Sequence, residues 1–283
     1  MRFFRRVVIA IFIASLAVYA GTNIYENKTT DTDPPQITSD TEVLEISVES
    51  DEDALLEGLT AYDNKDGDLT DSIMVYGKSF FTEKGTLTVD YVVFDSDYNV
   101  ASFSRKVCYT DYTSPEFAVD EVLYFGENTS EDIEDYVTAV DVLDGDITDS
   151  VRVDTSELDT ETAGTYTVTF SVTNSYGDTS ELEVYVTIGE TSRQYGVILK
   201  SSLVYIDKGS SFDAEEYIDK YISSQGEELD VEGLSVYEDG YYVLDVDADS
   251  DVDTKTPGTY TVKYSWSTSS TGGSAYLTVV VRE

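Results

Sequence analysis

Tandem antiparallel β-sandwiches behind one N-terminal transmembrane or signal helix, in an otherwise all-β chain, are the architecture this sequence predicts. Three observations predict it. Strand-favouring residues alternate with period two, a phrase built on Asp-Gly-Asp is written twice at domain-sized spacing, and an uncharged apolar run follows three arginines at the start. Period two sends successive side chains to opposite faces of a strand, so one face can pack on a core while the other meets water.

The helix comes first. Arg2, Arg5 and Arg6 precede the run Val7 to Gly21. Basic flanks stay cytoplasmic, so everything downstream is expected outside the cell. The run extends towards Ile24 and Tyr25, close to the ~20 residues a spanning helix needs. That favours an uncleaved anchor. Val18-Tyr19-Ala20 resembles a small-residue cleavage site, so a cleaved signal peptide and a secreted product stand as the alternative. Residues 1–25 are read as anchor or signal and residues 26–34 as a polar linker. No sortase-type tail follows Glu283, so attachment is expected through the N-terminal helix.

Repeats organise the rest. Leu55–Ile73 aligns without gaps on Ile133–Val151, with nine identities in nineteen positions. The likeness continues from "KGTLTVDYVVFDSDYNVASF" at Lys84 to "AGTYTVTFSVTNSYGDTSEL" at Ala163, and a third copy starts at Pro257 with "PGTYTVKYSW". Pro35 and Pro115 mark extended lead-in segments, because proline cannot donate to a central ladder. Three modules follow, at residues 35–112, 113–190 and 191–283, each of ordinary small-domain size. In the second, Tyr166, Val168, Phe170 and Val172 share one strand face, and Leu182, Val184, Val186 and Ile188 point inward on the next strand. "TNSYGDT" joins them as a hairpin turn in which Gly177 can take positive φ. "SEDIEDYV" and "FDAEEYI" each read as one helical turn or an irregular connection. The third module lacks the Asp-Gly-Asp phrase and shows only its last two strands clearly.

These residues carry a family resemblance. "TAVDVLDGDIT" followed by "GTYTVTFSVTNSYGD" resembles the bacterial immunoglobulin-like domain named after an insecticidal crystal protein, common in exported Gram-positive proteins. The family turn often reads DSAGN; here it is Asp95-Ser96-Asp97-Tyr98-Asn99 and Asn174-Ser175-Tyr176-Gly177-Asp178. The resemblance spans the first two modules. It implies seven-stranded sandwiches, a spacer or adhesion role and no catalytic activity.

Composition narrows the chemistry. With 57 acidic against 17 basic residues the net charge is −40, which repels nucleic acid and leaves membrane contact to the helix. There is no histidine, so the usual forms of zinc catalysis and of Ser-His-Asp or Cys-His hydrolysis are excluded. Cys108 is the single cysteine, so no intramolecular disulfide forms. It reads as a surface or edge residue without a role.

Three accounts of the repeated phrase stay open. The preferred one is structural: a sandwich corner needs aspartates that bond nearby amides and a glycine in the left-handed region. The second is calcium, for which Asp63, Asp66, Asp68 and Asp71 in the first module, and Asp141, Asp144, Asp146 and Asp149 in the second, are candidate ligands. The spacing is not that of an EF-hand. The third is carboxylate-pair hydrolysis, which needs a cleft. No cofactor is required by any of this, and calcium is the one candidate. The leading functional expectation is a non-enzymatic, membrane-attached extracellular spacer, scaffold or adhesion protein, with other surface proteins or glycans as partners. The alternative is carbohydrate binding through the divergent third module, led by Trp266, whose strand face the alignment leaves undecided. The acidic run Asp239 to Asp253 reads as a solvated hairpin or a second cation site.

Overall fold

A computed structural model describes residues 2–29, 31–119, 122–191, 193–223, 226–229, 235–238, 241–268 and 272–283. Helix α1 (Arg2–Thr29) contains the apolar stretch Phe3–Thr22, whose mean hydropathy is 1.9 and none of which is buried against the protein. It is long and apolar enough to cross a membrane, and a signal sequence would be too. The linker expected from residue 26 begins as helix instead, because no proline or glycine interrupts the chain between Thr22 and Thr29. The chain then divides into two compact units, Met1–Tyr112 and Thr113–Glu283.

The first unit lays down β1 (Gln36–Ser39), β2 (Val43–Ile46), β3 (Leu59–Asp63), β4 (Gly67–Asp68), β5 (Met74–Lys78), β6 (Thr86–Phe94) and β7 (Val100–Tyr109). One sheet runs β1-β3-β4 and the other β2-β7-β6-β5. All neighbours are antiparallel except β2 and β7, which run parallel with Val43 opposite Lys106. The lead-in segment therefore changes sheets, pairing first with β3 and then with the last strand. Leu87, Val89, Tyr91 and Val93 fill the core from β6, while Thr86, Thr88 and Asp90 face outward.

The second unit repeats this plan. β8 (Glu116–Val119), β9 (Tyr124–Gly126), β10 (Val137–Asp141), β11 (Gly145–Asp146), β12 (Arg152–Asp154), β13 (Gly164–Thr173) and β14 (Thr179–Gly189) form sheets β8-β10-β11 and β12-β13-β14-β9, again with the parallel pair β9 and β14. The inward and outward faces of β13 and β14 are those the alternation predicted. β15 (Gly196–Leu199), β16 (Leu203–Asp207), β17 (Ile218–Ile222), β18 (Glu228–Leu229), β19 (Ser235–Glu238), β20 (Tyr241–Ser250), β21 (Gly258–Ser267) and β22 (Gly272–Arg282) complete a third sandwich. Its sheets are β15-β17-β18 and β16-β22-β21-β20-β19, with β16 and β22 parallel. The third module thus keeps the whole strand order and adds an outer strand, although its sequence shows only the last two strands clearly.

Each acidic connection folds as one 3₁₀ turn, Glu52–Leu56, Ile133–Tyr136 and Ala214–Tyr217. Asp51, Asp132 and Asp213 cap them by accepting from the amides of Ala54, Glu134 and Glu215. The second and third sandwiches also pack on each other. Leu203 joins the second core and Val122 lies against the third. The rings of Tyr185 and Tyr276 stack at 4.5 Å, and the hydroxyl of Thr278 donates to the carbonyl of Glu183.

Candidate functional site

The two Asp-Gly-Asp corners are built alike. In the second sandwich β10 delivers Asp141, which is buried. Its Oδ1 accepts from the amides of Leu143 and Asp144 at 2.9 and 3.0 Å, and its Oδ2 from the side-chain amide of Asn174 at 3.1 Å. Gly145 then turns the chain at φ +76°, a conformation open to glycine. Asp146 accepts from the amide of Thr148, and Oγ1 of Thr148 accepts from the amide of Ala139. Those bonds hold the pair β10-β11 closed.

Asp144 acts over a longer range. Its carboxylate accepts from the amide and the hydroxyl of Ser175 at 2.6 and 2.7 Å, in the hairpin between β13 and β14. A corner aspartate is expected to bond a nearby amide; the partner of Asp144 is instead 31 residues away, in the opposite sheet's turn. The first sandwich repeats the other contacts, with Asp95 standing where Asn174 donates to Asp141. Asp63 accepts from Lys65 and Asp66, Asp66 from the amide and hydroxyl of Ser96, Asp68 from Thr70, and Oγ1 of Thr70 accepts from Ala61. The donors hold the Asp66, Asp68 and Asp146 carboxyls below their ordinary value: the Ser96 amide and hydroxyl for Asp66, the hydroxyl and amide of Thr70 for Asp68, and those of Thr148 for Asp146.

The candidate calcium ligands are therefore placed as follows. Asp63 and Asp141 are buried beneath each corner, Asp66 and Asp144 reach to the neighbouring hairpin, Asp68 and Asp146 fold back on their own turn, and Asp71 and Asp149 are exposed on 3₁₀ turns. Among the described residues no group of three or more His, Cys, Asp or Glu is placed to hold a metal ion. A hollow of about 360 Å³ beside the first corner is lined by Asp33, Tyr62 and Asp63, and the Asp63 Oδ1 there is already engaged by two amides.

The remaining candidates fall into place. Cys108 is half-buried on β7, between β2 and β6, so it lies on a central strand and not at an edge. Trp266 is 6% exposed and belongs to the third core, edge-on to Tyr195 and Tyr221 at 5.9 and 5.7 Å. Of the acidic run, Asp239 lies outside the described residues; Asp247, Asp249 and Asp251 are exposed, and Asp253 accepts from the amide of Lys255 and the hydroxyl of Thr256. One structural residue escaped the sequence reading. Arg105 is buried on β7, donating to the carbonyls of Leu55 and Glu57 and the hydroxyl of Ser39, with its guanidinium 5.5 Å from the Tyr91 ring centre. Its signal was position: Phe103, Arg105, Val107 and Tyr109 share one face of the strand.

Comparison with known proteins finds matches over part of the chain. The model of a family described as bacterial surface protein, Ig-like domain, matches residues 128–188, from the capped turn through the corner to the end of β14. The pesticidal crystal protein Cry22Aa of Bacillus thuringiensis is 35% identical over 134 residues, covering 46% of this chain. This chain spans only 18% of that protein's length. Among solved structures, a carbohydrate-binding module in complex with GlcNAc, with INT domains, from Clostridium perfringens ZmpB is 28% identical, covers 31% of this chain and 22% of its own, and superposes with a TM-score of 0.23. Domains 4–9 of the surface layer protein SbsC are 14% identical, with coverage of 88% and 48% and a TM-score of 0.20. The segment that contains the second aspartate corner thus matches a bacterial surface Ig-like family, in line with the resemblance that the repeated phrase carries.

Proposed function

We propose that this chain is a non-enzymatic surface protein, held in the membrane by α1 and carrying its sandwiches outside the cell as a spacer or scaffold. The observation that carries this reading is the fate of the repeated aspartate phrase. Six of the eight candidate carboxylates, Asp63, Asp66, Asp68, Asp141, Asp144 and Asp146, are engaged with amides or hydroxyls of their own or neighbouring turns, a role that braces a module. The apolar helix supports the location, because none of its stretch Phe3–Thr22 is buried against the described residues. The corner aspartates brace the turns without calcium in this reading.

Cell fractionation tests it. The protein should stay with membranes through a high-salt wash, and protease added to intact cells should remove the sandwiches. N-terminal sequencing should find Met1 to Gly21 retained. A mature chain beginning at Gly21 would show cleavage and release, and resistance of the sandwiches to added protease would place them inside.

A further inference from the structure

The second and third sandwiches enclose a cleft of about 310 Å³ that the bracing role does not use. Trp266 is among the residues that line it. A Cβ added at Gly196 or Gly273 would come within 2.3 or 2.7 Å of the indole, so both backbones pack close on the ring, which is 6% exposed and reaches the cleft only by part of its surface. Its walls carry Tyr124, Tyr185, Tyr195 and Tyr276, with hydroxyl groups of Thr165 and Thr187 between them. The volume lies at the small end of the range for small-molecule sites, about 300–1,000 Å³.

The cleft is pre-formed. Four contacts clamp the two sandwiches around it: the Tyr185–Tyr276 stack, the amide of Leu123 on the hydroxyl of Ser202, the amide of Phe117 on the hydroxyl of Tyr205, and Thr278 on Glu183. A rigid site spends no binding energy on ordering itself.

The lining selects a ligand class. In a chain with 57 acidic residues, Glu190 is the one charged side chain in the wall among the described residues. Among the described residues no lysine or arginine lines this wall, which disfavours phosphate and other anions, and the chain's net charge of −40 repels them further. One carboxylate is too few for a metal ion, which wants six or more oxygens. Aromatic rings offer flat apolar faces with hydroxyls at their rims, and threonine hydroxyls both donate and accept. A sugar ring has the matching surface: apolar C–H faces edged with neutral hydroxyls. We infer that this cleft is a binding site for a neutral saccharide of one or two rings, with Tyr195, 38% exposed, as the accessible aromatic face and Trp266, largely buried, in contact with the cleft as its reporter.

Trp266 is the only tryptophan in the chain, so its fluorescence reports the cleft directly. The experiment titrates the full-length protein, in a detergent without a sugar head group, with cellobiose, chitobiose, maltose and mannobiose. At least one should shift the emission saturably, with a Kd of about 1 mM or tighter. Thr165→Tyr fills the cleft from an exposed strand position and should abolish the shift while the melting temperature holds. Tyr195→Ala should weaken binding roughly tenfold. Two results overturn the inference: no saturable shift with any of the four sugars up to about ten times that concentration, or a shift that survives in a folded Thr165→Tyr protein. Because the spacer role needs no ligand, either result leaves the proposed function standing.

Discussion

The first two sandwiches share a corner and differ in what lies beneath it. Both bury an aspartate under the turn and reach with a second to the serine of the next hairpin. At the core position opposite β6 or β13, however, one has Arg105 and the other Val184; Val89 faces the arginine and Val168 the valine. The guanidinium is spared an unpaired burial because the 3₁₀ turn aims the carbonyls of Leu55 and Glu57 at it. Its Nε alone has no partner among the described residues. The second sandwich leaves the same place apolar, and Phe170 stands where Tyr91 donates to Leu55. A corner can thus be copied between modules more faithfully than the core it closes, because local amides set the corner while the core only has to be filled.

Exchange of the two core solutions gives the largest expected effect. Val184→Arg buries a charge where no carbonyls await it, and should cost about 4 kcal/mol or more, enough to unfold the second sandwich. Calorimetry of the whole chain would show it as loss or collapse of that transition. A mild effect would mean that the core yields to water and that the carbonyl cage around Arg105 is incidental.

The buried corner acid comes next. Asp141→Ala leaves two amides and the Asn174 side chain without an acceptor and should destabilise by about 2–3 kcal/mol. The first sandwich tests the same point differently, since Asp95 occupies the place of Asn174 and is itself buried. Because the acceptors serve amides, chelator should leave both wild-type melts unmoved; a rise with added calcium would bring the cation account back.

A smaller effect should have the opposite sign. Tyr98 sits at φ +67° in a turn where its counterpart Gly177 sits at +83°. Tyr98→Gly relieves a backbone that side chains resist, and should stabilise the first sandwich by about 1 kcal/mol, visible as a higher midpoint in urea. The tyrosine is 88% exposed, so little packing is lost.

Acid should separate the modules last and least. Asp66, Asp68, Asp97 and Asp111 in the first, against Asp146 and Asp154 in the second, are held below the usual 3.8, Asp97 chiefly by Lys65 and Asp111 by the Ser47 hydroxyl. Folded values below unfolded ones mean stability that is present at neutral pH and lost as pH falls below that value. All six are surface groups, so the loss is shallow. An acid titration should show the first sandwich fading earlier.

How far the sequence was legible follows from the range of each interaction. Period-two strands and the glycine turns rest on neighbours a few residues away and were readable; of the 3₁₀ connections, those at Ile133–Tyr136 and Ala214–Tyr217 were readable as a helical turn or an irregular link, without their caps. The reach of Asp144 to Ser175 was not, because nothing local distinguishes it from an Asx-type turn. Arg105 reads outward by charge and inward by alternation, and the deciding carbonyls lie some fifty residues upstream. The sheet change of the lead-in strands was hidden because β9 has only three residues, too few to show a period. Trp266 was undecided until its partner Gly273 across the ladder fixed the register.

The parallel pairs β2–β7, β9–β14 and β16–β22 also determine how each module answers tension. Neighbours that run the same way are entered at one end and left at the other. A pull on the chain's two ends would therefore slide one strand along its partner and load the bonds between them together. An antiparallel terminal pair would instead be peeled open one bond at a time. Single-molecule pulling should accordingly find abrupt, high-force ruptures, and a low, gradual extension would count against this geometry. For a protein proposed to stand between a membrane and whatever drags on the cell surface, each sandwich is a link that resists being drawn out.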